Sequence, residues 1–321
     1  MSQDNGQNPQ PQGSFYNSIG IGGIVDNKRK INKVLRLASF SPDFLYEREQ
    51  DKKGRIFFDR YKYLGSGFGV SVKGYRRLRA NKEGQLVEKH TITDWGIFAQ
   101  GYHDNQVENA FVDTDEDQFG FCLAEDAAST NLFEFRINNM MELLDKYKKM
   151  RSNAEVTAFE REIKHINMAM LMLYGTVLLP VEKCGNDNCE CQQQADEQAY
   201  KELAARARRG DAEAEADFHQ MVREQEMELS QRLAEEDLLS VFEGYFLNMV
   251  EQSGIFSILA DILDVTELTN EATGEKLYRM TISVTDTQTT TYINQSDLLG
   301  MPMAGMRLMG IGMLQGDVRV T

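Results

Sequence analysis

AEVTAFEREIKHINMAMLMLYGTVLLPV, Ala154–Val181, predicts a helix to about Leu173, ended by Gly175, and then a buried strand in TVLLPV. The passage before it, NLFEFRINNMMELLDKYKK from Asn131, places Leu132, Phe135, Met140, Leu143, Leu144 and Tyr147 on one helical face. Ser129, Thr130 or Asn131 is a suitable N-cap for that helix. On this reading the middle of the chain is helical and the strands lie to either side.

Working outward, residues 1–14 are a Gln/Asn/Pro-rich tail of disordered type. From about 31 to 125 the runs RIFFDRYKYL, FGVSVKGY, GIFAQGY, NAFVDT and FGFCLA are strand-like, separated by turn formers such as Lys53-Gly54 and Glu83-Gly84. On the other side, KCGNDNCECQQQADEQ is a polar break, with the linker at 183–194. Helices are expected at Ala195–Arg209 and Ala212–Leu233, and again in EEDLLSVFEGYFLNMV from Glu235. Beyond 252, FSILADILDVTEL, KLYRMTISV, TTTYIN, RLMGIGML and GDVRV are five candidate strands. They suit a small closed barrel of the oligonucleotide-binding type. The expected fold is therefore α+β: a mixed domain over 15–182, a helical segment over 195–252 and a five-stranded barrel over 253–321.

The 321 residues carry 41% hydrophobic side chains, enough for a core. No apolar run reaches the roughly 18 residues of a membrane span. MSQDNGQNPQPQG lacks the basic and apolar regions of a signal peptide, so a cytoplasmic location is expected. The net charge of -15 opposes bulk affinity for nucleic acid or anionic lipid. The charge is uneven, with 17 Lys/Arg against 7 Asp/Glu over Lys28–Lys89, and 6 against 15 over Asp187–Asp237. Either these are solvated faces, or the basic half meets an acidic partner.

Several motifs invite chemistry. LGSGFGVSVKG, Leu64–Gly74, resembles a kinase glycine-rich loop, but its third glycine, Gly69, comes one residue early and no catalytic loop follows. Strand–turn–strand is the better reading. Met301, Met303, Met306, Met309 and Met313 have thioether spacing suited to Cu(I), but the alternation of Met309, Ile311 and Met313 favours packing on one strand face. Gly310 and Gly312 then face a close backbone approach. Cys184, Cys189 and Cys191 form C-x4-C-x-C, three of the four ligands that zinc requires, with Cys122, His165 or His219 as remote candidates for the fourth. His103-Asp104 lies in a turn, His165 in an apolar helix, and the carboxylates of 114–117 in a loop without EF-hand spacing. No acid–base pair is assigned, and no catalytic residue.

The most binding-like segment is KGYRRLRANK, 73–82. Lys73, Arg76, Arg77 and Arg79 are placed to track phosphates, and Tyr75 to stack one base. The barrel segment is poor in aromatics and cations, which weakens that case. A non-catalytic protein-interaction or regulatory module ranks first, nucleic-acid binding second and an unrecognised enzyme third, with no cofactor expected unless the cysteines hold zinc.

ARRGDAEAEADF, EEDLLSVFEGYF, FSILADILDV, TGEKLYRMTISV and INQSDLLGMPMAGMRLMGIGMLQG, in that order, resemble an uncharacterised bacterial family, domain-of-unknown-function family number 3881. FGFCLAEDAASTNLFEFRINNMMELLD and YGTVLLPV are similar to it as well, so the likeness spans roughly 119–321, with INKVLRLASF the one block before it. The resemblance implies no activity, substrate or catalytic residue, and the three linker cysteines match no pattern in it.

Overall fold

In a computed structural model, which describes residues 14–47, 51–115, 119–127, 132–140, 142–143, 152–180, 244–250, 253–284 and 287–320 with isolated residues between 203 and 223, the chain is mostly β. After a 3-10 turn at Asn17–Ile19 come α1 (Gly22–Val25) and α2 (Lys28–Phe40). Then follow β1 (Phe44–Glu47), β2 (Ile56–Gly65), β3 (Phe68–Ala80), β4 (Leu86–Ala99), β5 (Asp104–Asp115), β6 (Phe119–Asp126) and β7 (Leu132–Ile137). Helix α3 (Asn153–Arg161) leads into β8 (Ile163–Leu178). The rest is β9 (Tyr245–Val250), β10 (Ile255–Thr269), β11 (Lys276–Val284), β12 (Thr287–Asn294), β13 (Leu298–Leu299) and β14 (Arg307–Val320). The chain divides into two compact units, Met1–Leu178 with Gly244–Thr321, and Leu179–Glu243. All the elements named here belong to the first.

Strands β1 to β4 form an antiparallel meander in chain order. The other ten make a second sheet around one long ladder, in which β8 and β14 run antiparallel from Ile163↔Val320 to Leu178↔Arg307. On its other edge β8 pairs in turn with β5, β12 and β13, while β14 pairs with β10 and then β7. Because β5–β6–β7 and β10–β11–β12 are themselves laddered, the pairings close into two rings that share β8–β14.

The shared strand explains the sequence that encodes it. Ile166, Met168, Met170 and Met172 enter one core with Phe133, Phe135, Phe256 and Ile258. Ala169 and Leu171 enter a second core with Val34 and Leu35 of α2 and Phe58, Val70 and Val72 of the meander. A strand buried on both faces shows no alternation, and its Met, Leu and Ala residues have high helix propensity. The expected helix to Leu173 is therefore wrong beyond Arg161, where α3 ends. Ser152 caps that short helix by accepting from the Glu155 N–H at 3.3 Å.

The α+β expectation fails elsewhere for related reasons. The helix expected from Asn131 begins as strand β7, whose alternation buries Phe133, Phe135 and Ile137. Tyr245–Val250, expected as the end of a helix, is strand β9 paired with β10. Most of the helical segment expected at 195–243 lies outside the described residues. No separate oligonucleotide-binding-like barrel forms over 253–321. RLMGIGML and GDVRV are one strand, β14, and the fifth strand of that ring is β8, from far upstream.

Gly310 and Gly312 make the shared ladder possible. A Cβ on Gly310 would lie 2.3 Å from the Tyr174 carbonyl oxygen and 2.7 Å from Met172 Cε; on Gly312 it would lie 2.4 Å from Met170 Cγ. The methionines filling the ring core are thus Met168, Met170 and Met172 of β8 together with Met140 and Met280, while Met309 and Met313 are only half-buried. Gly312→Ala should lower stability by about 1–3 kcal/mol through overpacking. Gly23→Ala, whose Cβ would meet nothing within 4 Å, should cost nothing measurable. Urea midpoints at unchanged m-value check both.

Candidate functional site

Two concavities lie on the meander. The larger encloses about 410 Å³ and is lined by Lys53, Gly54, Ile56, Arg76, Arg77, Leu78, Arg79 and Glu88. It falls on the segment singled out in the sequence, 73–82, because β3 and β4 pair out to Ala80↔Leu86 as a two-stranded hairpin. The five candidate residues there have different surroundings. Arg76 donates to both carboxylate oxygens of Glu47, at 3.0 and 2.9 Å, and also to Glu88. These bonds raise the pKa of Arg76 and hold Glu47 and Glu88 below the usual carboxylate range. Lys73 stands in register between Asp59 of β2 and Asp94 of β4. Tyr75 packs edge-on against Phe57 at 6.0 Å, with the guanidinium carbons of Arg55 and Arg77 at 5.3 and 5.8 Å from its ring. Among the described residues Lys53, Arg77 and Arg79 pair with no carboxylate, and Arg77 Nε is buried without an acceptor. Leu78 and Leu86 on the same hairpin are 65% and 70% exposed.

The smaller concavity, about 60 Å³, was not visible in the sequence. Phe44, Tyr61, Tyr63 and Phe98 form its walls, with Gln100, Asn138, Asn139 and Asp317 completing the lining. Tyr61 stands edge-on to Phe98 at 5.2 Å and 86°, Tyr63 meets Phe98 at 5.3 Å and 69°, and Phe44 tilts against Tyr61 at 5.6 Å. The rings come from β1, β2 and β4, the carboxylate from β14 more than two hundred positions later. Behind them, Tyr61 donates to the Asn138 carbonyl oxygen at 2.6 Å and reaches Asp59 Oδ2 at 3.0 Å. Burial pushes Asp59 up to about 6 against the opposing charge of Lys73, and burial likewise raises Asp317 to about 6 against Arg319.

The remaining sequence candidates disperse. Gly67, at φ +83°, forms the β2–β3 turn, and the Tyr102 and Tyr292 hydroxyls occupy the space its Cβ would need. His103 Nε2 lies 3.2 Å from Thr281 Oγ1, and Asp104 instead approaches His165 Nδ1 at 2.9 Å. His165 itself is on strand β8, not on a helix. Cys122 is buried in the core, which pushes its thiol up to about 12. Cys184, Cys189, Cys191 and His219 lie outside the described residues, and 114–117 lies partly outside them. Among the described residues no group of three or more His, Cys, Asp or Glu is placed to hold a metal ion. Nor is any helix among them long and apolar enough to cross a membrane.

The sequence model of one protein family matches residues 17–316, and its description reads "Domain of unknown function, E. rectale Gene description (DUF3881)". The chain belongs to that family. The match begins about a hundred residues before the continuous likeness at 119–321, takes in the block INKVLRLASF and covers the whole meander. No curated protein and no solved structure matches the chain.

Asp59 and Asp317 ionise less readily folded than at their ordinary value of 3.8. The folded state therefore binds more protons than the unfolded one between about pH 4 and 6, and stability should rise as pH falls through that window. Glu47 and Glu88, lowered from their ordinary 4.5, should oppose that rise from about pH 4.5 downward and reverse the slope at lower pH. Denaturation midpoints from pH 8 to 3 check the sign, and Asp317→Asn should flatten the upper part of the curve.

Proposed function

We propose, for this member of a family whose description names no activity, that the protein is a non-catalytic interaction module whose β3–β4 hairpin docks an acidic segment of a partner protein. The observation that carries this reading is the set of uncompensated cations, Lys53, Arg77 and Arg79, beside exposed Leu78 and Leu86 on one hairpin. Arginines next to open apolar surface suit a polypeptide with carboxylates and aliphatic side chains. Cross-strand register groups the residues. Leu78 stands opposite Glu88 and Ala80 opposite Leu86, while Arg77 stands opposite Lys89 and Arg79 opposite Val87. Leu78, Ala80 and Leu86 thus lie with Glu88 on one face of the hairpin and Arg77, Arg79 and Lys89 on the other, so a docked segment would wrap the edge of the hairpin to reach both.

A nucleic-acid ligand is the second reading, and the same residues argue against it. Arg76 is already held by two glutamates, Lys73 stands between two aspartates, and Tyr75 is flanked by Arg55, Phe57 and Arg77. What is left for phosphates is Lys53, Arg77 and Arg79 with Glu88 in their midst, and exposed Lys82 and Lys89 on the same hairpin, a modest electrostatic footprint for a chain of net charge -15. A cytoplasmic location belongs to the same proposal, as the setting in which an acidic protein segment would be met.

A fluorescent peptide of alternating Glu and Leu and a labelled thymidine strand of about twenty nucleotides separate the two readings. The peptide is expected to bind the full-length chain. Arg77→Glu with Arg79→Glu should weaken it by about tenfold or more, with an unchanged circular dichroism spectrum. Tighter binding of the thymidine strand than of the peptide, lost in the same variant, would overturn the proposal in favour of nucleic acid.

A further inference from the structure

We infer that the cup of Phe44, Tyr61, Tyr63, Phe98 and Asp317 is a binding site for a methylated ammonium head group, carried either by a free small molecule or by a methylated lysine side chain. This site is separate from the hairpin groove and does not depend on its reading.

The chemistry follows from the walls. Aromatic ring faces attract a cation through their quadrupole, most strongly where water is excluded. Here the rings meet at angles of 44°, 86° and 69°, so they line the cavity as an angled wall instead of stacking flat on one another. The cavity is small, about 60 Å³, and open to solvent past Phe44, so it takes the compact tip of a ligand and not a whole sugar or nucleobase.

The polar groups narrow the ligand further. Gln100 donates to the Tyr63 hydroxyl at 2.6 Å, and Asn138 donates to the Ala99 carbonyl at 2.9 Å. Asn139 exchanges two bonds with the Val318 backbone, at 2.8 and 3.0 Å. The amide N–H groups are thus engaged, and they fix the walls before any ligand arrives. Among the described residues no hydrogen bond reaches the Asp317 carboxylate. A methylated ammonium brings charge together with apolar surface, which one carboxylate and four rings complement. Phe44, 55% exposed, stands at the rim.

The charges around the carboxylate are Arg319 on its own strand and Glu142 after β7, with the Tyr61 and Tyr63 hydroxyls facing it from β2. Arg319 is the one cation among these. It lies 2.9 Å from Asn167 once the amide of that side chain is turned to satisfy its neighbours. A bound cation would supply the countercharge that burial denies Asp317.

The test is calorimetric titration of the whole chain with choline and with its uncharged isostere, 3,3-dimethylbutan-1-ol, at pH 7.5. Saturable binding of choline is expected, with the isostere at least about tenfold weaker. Asp317→Asn, which keeps the side chain's volume, and Tyr63→Leu should each lose about tenfold, and choline affinity should fall as pH is lowered through about 6. Equal binding of choline and its isostere, or choline binding untouched by both variants, would overturn the proposal, as would no binding of choline or of a trimethyllysine peptide. The peptide then distinguishes the source. Tighter binding than choline identifies a protein side chain, and weaker binding a free head group; either upholds the site.

Discussion

The antiparallel ladder between β8 and β14 is the constraint on which the rest of the fold depends. It is a member of both closed rings, and one face of β8 also carries the second core under the meander. Such a strand has to be apolar on both sides, and its partner has to leave room for large side chains at the points of closest approach. Met170 and Met172 supply the flexible bulk, and Gly312 and Gly310 supply the room. Gly175, where β14 and β13 flank β8, answers the same demand, since its Cβ would crowd Leu308, Ile293 and Leu298.

That constraint also decides what the sequence could disclose. The meander was legible because its strands are short runs rich in aromatic and β-branched residues, separated by turns with glycine at positive φ, at Gly54, Gly67 and Gly84. So were β10, β11 and β12, and even the glycine side of β14. Strand β8 was not, because burial on both faces removes the alternation and leaves only residues of high helix propensity. Strand β7 carried its alternation openly, at Phe133, Phe135 and Ile137, but the apolar Met140 and Leu143 just after it extended the run into a plausible helical stripe. Ring closure was out of reach for a different reason. The residues that pair across it, such as Thr291 with Met170, lie more than a hundred positions apart, and no local pattern encodes their meeting.

The basic segment shows a comparable limit. Composition shows that cations are clustered between Lys28 and Lys89, but only pairing shows which of them are free to act. Glu47, on a strand of four residues, takes both Arg60 and Arg76, and Asp59 and Asp94 flank Lys73 from either side. These contacts fix the meander's inner charges and leave the outer hairpin with a small cationic surface next to leucines. A charge run that looked continuous in sequence is thereby divided into an internal network and an external one, and only the external one has a bearing on partners.

The aromatic cup was invisible for the opposite reason: none of its residues is unusual alone. Phe44, Tyr61, Tyr63 and Phe98 each read as ordinary strand residues, and Asp317 as a charge near the end of the chain. What gives them a shared chemistry is the position of β14. The strand that closes both rings continues past Gln315, whose side chain binds the backbone of Ile97 and Ala99, and so brings the carboxylate two residues on beside the rings of β2 and β4. The ladder that makes the core also delivers Asp317, poor in partners, to an aromatic wall. A carboxylate in that position raises the energy of the empty protein in its ionised form. An organic cation is the kind of ligand that lowers it, because the rings that desolvate the carboxylate are also the rings that attract the cation.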